Sequence, residues 1–181
     1  MKDAHLLRLA KQGQTQYLNE IAARYYDDVY RFCRFQTGEA ETAADLTQDT
    51  FLRFFCYVET VRTGNLKGCL FAIARNVCRD HWREKSRRKE EPFPDEAGTV
   101  FSLDAEGELP QERSETRLML QDALLCLPDF QREAVVLRYM YSFRYHEIGK
   151  MTGVSAATAK SRVMQGCKKL RGILGERENG R

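Results

Sequence analysis

The sequence predicts an all-α fold: two small helical domains joined by a flexible acidic linker, with a helix-turn-helix in the second. Three observations predict it. Apolar residues recur every three or four positions over most of the chain, and few runs show the strict alternation of a strand. Only four prolines interrupt 181 residues, and three of them fall within residues 89–110. That same stretch inverts the local charge, with seven acidic and no basic residues over 90–110. The overall composition, 43% hydrophobic and 30% charged, suits a folded soluble chain.

The first helix is predicted over residues 15–36, where positions 18, 21, 22, 25, 29 and 32 form one apolar stripe and Gly38 ends the pattern. A second follows over 41–58, with Phe51, Phe54, Phe55 and Val58 on its buried side. The sequence Arg62-Thr63-Gly64-Asn65 has turn composition. A third helix spans 66–88 and buries Leu66, Leu70, Ile73 and Val77. Residues 1–88 thus make the first domain.

Residues 89–110 form the linker. Its acidic run, prolines and glycines leave too little apolar surface for a core. A random coil of that length reaches roughly 25 Å, which allows the two domains to move independently. Residues 111–181 make the second domain. A helix over 112–126 is stopped by Pro128, which opens the next, with Phe130, Ala134, Leu137 and Tyr141 in helical register. In residues 143–163, Tyr145 and Ile148 give a short helix its apolar side. Gly149 is small where helices cross, Gly153 suits a tight turn with positive φ, and Ser155 caps a second helix. On that second helix Ala159, Val163, Gly166, Leu170 and Ile173 face inward. Ala157, Ser161, Met164 and Lys168 face outward, flanked by Lys160, Gln165 and Arg171. Small residues at the start and basic groups beyond suit a recognition helix in a major groove. The competing reading is a helical hairpin with a solvated basic face.

Net charge is only +3, but it is unevenly spread. Residues 75–89 carry seven basic and two acidic groups, and 160–171 carry five basic and none acidic. Two such patches suit two contacts with one polyanion. In the first patch Arg75, Arg79 and Arg83 stand at i, i+4 and i+8, with Asn76 and Asp80 beside them and Arg87 and Arg88 beyond. Trp82, the single tryptophan, sits among them, where it can stack on an unpaired base or pack in the core. The second helix turns Asp45, Gln48, Asp49, Leu52 and Cys56 outward, a mixed acidic and apolar face suited to a basic protein surface rather than to DNA.

Other classes are disfavoured. The six cysteines form no C-x-x-C and lie at no ligand spacing with a histidine, so reduced structural thiols are expected, with no metal and no cofactor. The carboxylates have no histidine or phosphate loop to make a catalytic set, so no catalytic residues and no enzyme activity are expected. The start of the chain has no signal-like apolar core, and no run approaches membrane-spanning length, so a cytoplasmic protein without membrane insertion is expected.

The order "DLTQDTFLRFF", "CLFAIARNVCRDHWREKSRR", an acidic linker and "LPDFQREAVVLRYMYSFRYHEIGKMTGVSAATAKSRVMQGCKKLR" resembles the extracytoplasmic-function group of bacterial RNA polymerase sigma factors of the sigma-70 type. The resemblance implies that the first domain is sigma region 2 and the second is sigma region 4. Asp45, Leu46, Gln48, Asp49 and Phe51 then match the segment that docks on core polymerase, beside Leu52. Arg75, Asn76, Asp80 and Arg83 match the segment that reads and opens the −10 element, and the turn 59–67 takes the place of the loop that captures an unpaired base. Residues 155–168 match the −35 recognition helix, with Thr158, Lys160, Ser161 and Arg162 as its motif. The chain departs from the family at Cys69, where a Trp is usual, and at Gly149, where an Ala is usual. It departs again at Gln165, Gly166 and Cys167, where a basic run is usual.

The resemblance implies core RNA polymerase and promoter DNA as partners, duplex at −35 and opened at −10, with an anti-sigma factor as the regulator that the sequence itself does not show. A monomer is expected when the chain is free. Two rivals make different demands. A stand-alone helix-turn-helix repressor or activator needs a dimer surface and leaves the 45–56 face without a task. A thiol-based redox protein needs cysteines paired for exchange.

Overall fold

The computed structural model describes residues 2–61, 65–90 and 115–179, with side chains for 2–61, 65–87 and 118–175. Among the described residues the regular structure is helical throughout: α1 (Asp3–Lys11), α2 (Gln16–Thr37), α3 (Ala40–Tyr57), a 3-10 turn (Val58–Thr60), α4 (Leu66–Glu90), α5 (Glu115–Leu125), α6 (Asp129–Tyr139), α7 (Tyr145–Thr152) and α8 (Ala156–Asn179). The linker prediction over 89–110 lies outside the described residues apart from its first two, Lys89 and Glu90, which extend α4.

In the first domain α2, α3 and α4 pack around Val29, Phe32, Phe54, Leu70 and Phe71, all fully buried. Gly38 ends α2 in the left-handed region at φ 80°, donating its N–H to Arg34 O at 2.9 Å. The first predicted helix begins only at residue 15, yet α1 precedes it and buries Leu6, Leu7 and Ala10. Asp3 fixes it to α2 by accepting from Arg24 Nη1 at 2.8 Å and from the Tyr25 hydroxyl. Burial and that carboxylate push the Tyr25 hydroxyl well above its ordinary pKa.

In the second domain α6 packs along α8, and α7 crosses α8. The two domains are docked in this structure, with a single hydrophobic cluster running through both. The Tyr141 ring lies 4.4 Å from Phe71 and 6.2 Å from Phe32, and its hydroxyl donates to Asp28 O at 2.8 Å. Lys67 Nζ donates to Tyr141 O at 3.2 Å and sits over the Phe143 ring at 5.4 Å. Arg132 is buried at the same seam. Its guanidinium reaches Gln36 Oε1 at 3.4 Å, the carbonyls of Leu125 and Leu127 at 3.4 Å, and Asp129 Oδ1 at 2.6 Å.

This seam overturns part of the expected register of α6. Ala134, Leu137 and Tyr141 are buried as expected, but Phe130 is 46% exposed while Gln131, Arg132 and Glu133 are buried. The helix is covered on two sides, by α8 and by the first domain, so it buries polar residues that find partners there.

Candidate nucleic-acid interface

The helix-turn-helix forms at the expected residues. Glu147 Oε2 accepts from Arg144 N at 2.7 Å, which caps the start of α7. Gly153 turns the chain at φ 71°. A Cβ on Gly149 would lie 2.6 Å from Val154 O, so α7 and the start of α8 approach too closely for any side chain there without a shift. Ser155 Oγ accepts from Thr158 N at 3.0 Å and pairs with Thr158 Oγ1 at 2.9 Å.

On α8, Ala159, Val163, Gly166 and Leu170 are buried, as the sequence predicts. Ala157, Lys160, Ser161, Met164, Gln165 and Lys168 stand exposed at i, i+3, i+4, i+7, i+8 and i+11, a single continuous stripe. Three predicted contacts sit differently. Ser155 and Thr158 are exposed but engage each other, so they shape the start of the helix. Arg162 is half-buried and lies over the Phe130 ring at 5.3 Å, turned towards α6 rather than along the stripe.

The arginine stripe on α4 is divided by the seam. Asn76, Arg79, Asp80, Arg83 and Arg87 are exposed, whereas Arg75 is nearly buried and faces Glu133 on α6. In this arrangement a carboxylate of the second domain occupies the Arg75 guanidinium. Burial raises the Glu133 carboxyl above its ordinary range, and the Arg75 charge opposes this without cancelling it. Asp80 Oδ2 accepts from Arg53 Nη1 at 3.1 Å, which links the stripe to α3. Trp82 is half-buried, with Lys85 Nζ 5.2 Å from its ring centroid, so it is neither a core residue nor a bare platform. Arg75, Arg79, Trp82, Phe130, Glu133 and Arg162 line a cleft of about 300 Å³ between the domains. The side chain of Arg88 and residues 62–64 of the predicted turn lie outside the described residues.

The face of α3 is open. Asp45, Gln48, Asp49, Leu52 and Cys56 are exposed, with Leu52 at 60%. Leu46, at 7% exposure, lies in the core beneath the face rather than on it. Phe51 backs the face from inside, stacked at 6.1 Å on Tyr26. Tyr57 adds a large exposed ring at the end of the helix.

Two open faces of different chemistry, one acidic and apolar and one basic, are thus carried by separate domains. The family description of sigma-70 region 2 matches residues 21–88, and that of sigma-70 region 4 matches residues 117–170. The chain is 30% identical over 157 residues to the ECF RNA polymerase sigma factor SigM of Bacillus subtilis, covering 86% of this chain and 94% of that one. The chain belongs to the extracytoplasmic-function sigma factors. It is also 35% identical over 156 residues to the ECF RNA polymerase sigma factor SigE of Mycolicibacterium smegmatis, spanning 86% of this chain and 61% of that longer relative. Among solved structures, the sigma factor RpoE of Bartonella quintana in complex with the anti-sigma factor NepR has a TM-score of 0.70 at 24% identity, covering 89% of this chain and 98% of that one. CnrH in complex with the cytosolic domain of CnrY has a TM-score of 0.71 at 19% identity, covering 96% and 97%. Both share the fold of this sigma factor.

Proposed function

We propose that this sigma factor binds core RNA polymerase through the α3 face made by Asp45, Gln48, Asp49 and Leu52, and directs it to promoters with two DNA-reading elements. The exposed stripe of α8, Ala157 to Lys168, enters the major groove of the −35 element. Asn76, Arg79, Asp80, Trp82, Arg83, Arg87 and Arg88 engage the −10 element, and Arg75 joins them when α6 leaves it. Residues 1–88 and 111–181 act as the two functional modules, tethered by 89–110. The single observation that carries this reading is the coexistence of an exposed acidic and apolar helix face with an exposed recognition stripe on the other domain. A stand-alone repressor has no use for the former.

The chemistry of RNA synthesis belongs to the polymerase, and this chain contributes position and strand-opening energy without a catalytic residue. It works in the cytoplasm as a monomer when free. By likeness to the RpoE–NepR pair, an anti-sigma factor is its regulatory partner. In-vitro transcription with purified core polymerase on genomic fragments, with start sites mapped, tests the activity. Defined starts behind shared −35 and −10 elements support it, and no sigma-dependent start refutes it.

A further inference from the structure

Two exposed residues in the middle of the α8 stripe are oriented by a third that lies beneath the surface. Gln131, on α6, is 3% exposed. Its Nε2 donates to Gln165 Oε1 at 3.1 Å, and Gln165 Nε2 donates to Ser161 Oγ at 3.2 Å. The neighbouring glycine permits this approach. A Cβ on Gly166 would lie 2.6 Å from Val135 Cγ2 and 3.4 Å from Gln131 O, so a larger residue there would have to displace the Val135 side chain between α6 and α8. Gln131, Gln165 and Gly166 form one built unit, at the place where the chain departs from the family's basic run.

The chain of hydrogen bonds has a direction. The Gln131 N–H engages Gln165 Oε1 from beneath, and Gln165 Nε2, with one N–H given to Ser161, keeps a second that can donate to the groove. Ser161 Oγ accepts from Gln165, which leaves its own O–H available to donate. Both residues can then present donors. Packing alone does not account for the amide at 131. Its Oε1 is buried without a protein partner, a cost that an apolar side chain of similar size would avoid.

We propose that Gln131 is a positioning residue for promoter specificity. Acting through Gln165, it holds Gln165 and Ser161 as donors, so the −35 base pair they face is read for an acceptor-rich edge. Guanine, with O6 and N7 in the major groove, is favoured there over cytosine, which presents an amino donor. This rests on the assignment of α8 as the −35 helix.

The test uses holoenzyme assembled from the full chain and core polymerase, with a duplex promoter library randomised over the −35 element and bound fractions sequenced. Wild type should favour guanine at one −35 base pair. Gln131→Leu should weaken that preference about fivefold, the scale of one good base contact, while the other −35 positions, the −10 profile and core affinity stay unchanged. Gln165→Leu, at an exposed site that folding does not need, should weaken the preference at the same base pair, and the double variant should add nothing further. An unchanged profile in Gln131→Leu, or a uniform loss at every −35 position, would overturn the inference while leaving the function intact. Wild-type holoenzyme that selects no −35 sequence would overturn the function and the inference together.

Discussion

Arg75 on α4 and Glu133 on α6 face each other across the seam between the domains, with only 13% and 11% of their side chains exposed. A residue of the helix proposed to read −10 is thereby held by a carboxylate of the domain proposed to read −35. The proposed DNA engagement by Arg75 requires this pair to separate. The ion pair is balanced, since withdrawal of two charges from water offsets much of their attraction.

The pair makes docking depend on pH. Burial lifts the Glu133 carboxyl above its ordinary value of 4.5 in the docked form, against the pull of Arg75 and, more weakly, Arg162 and Arg79. A raised pKa means that the docked form holds the proton more tightly. The resulting contribution is complete below 4.5 and is lost as pH rises through the raised value. Fluorescence transfer between dyes on the exposed Cys56 and Cys126 should report tighter docking as pH falls through that window. Glu133→Gln should remove this part of the response.

Tyr141 anchors the same seam through Phe71, Phe32 and Asp28 O. Tyr141→Ala should cost about 3–5 kcal/mol in urea unfolding, the usual range for a buried aromatic. Tyr141→Phe removes only the hydroxyl and should cost about 1 kcal/mol.

The two open faces should separate genetically. Lys160→Ala with Ser161→Ala should lower promoter affinity about tenfold or more while core polymerase is still retained on an affinity column. Asp49→Arg with Gln48→Ala should do the reverse, because it changes the charge of the α3 face alone.

Phosphate contacts at the far end of the α8 stripe should appear in salt dependence. Lys168→Ala should weaken −35 binding about equally on all sequences and reduce the slope of log K against log salt by about one. Titrations at several salt concentrations measure this directly.

Helix existence was legible in the sequence because the apolar stripes of α2, α3 and α4 are long and regular. Gly38, Pro128 and Gly153 mark the stops of α2, α5 and α7 as glycine and proline usually do. Helix α1 escaped because nine residues give a stripe of only Leu6, Leu7 and Ala10, and its anchor is the distant pair Arg24 and Tyr25. The polar residues of α6 were hidden for a related reason. Apolar periodicity cannot foresee that Arg132 will bury itself against Gln36, or Gln131 against Gln165, since each partner lies far along the chain. The exposed stripe of α8 was legible almost in full. Arg162 lies off it because Phe130 remains exposed and offers its ring to the guanidinium.

The most direct test of the account is gel filtration of the purified chain with core RNA polymerase, followed by transcription from the isolated complex. A one-to-one complex that initiates at sites with a fixed −35 to −10 spacing is the result expected. A chain that stays apart from polymerase, dimerises and protects near-palindromic duplex sites by itself would contradict it.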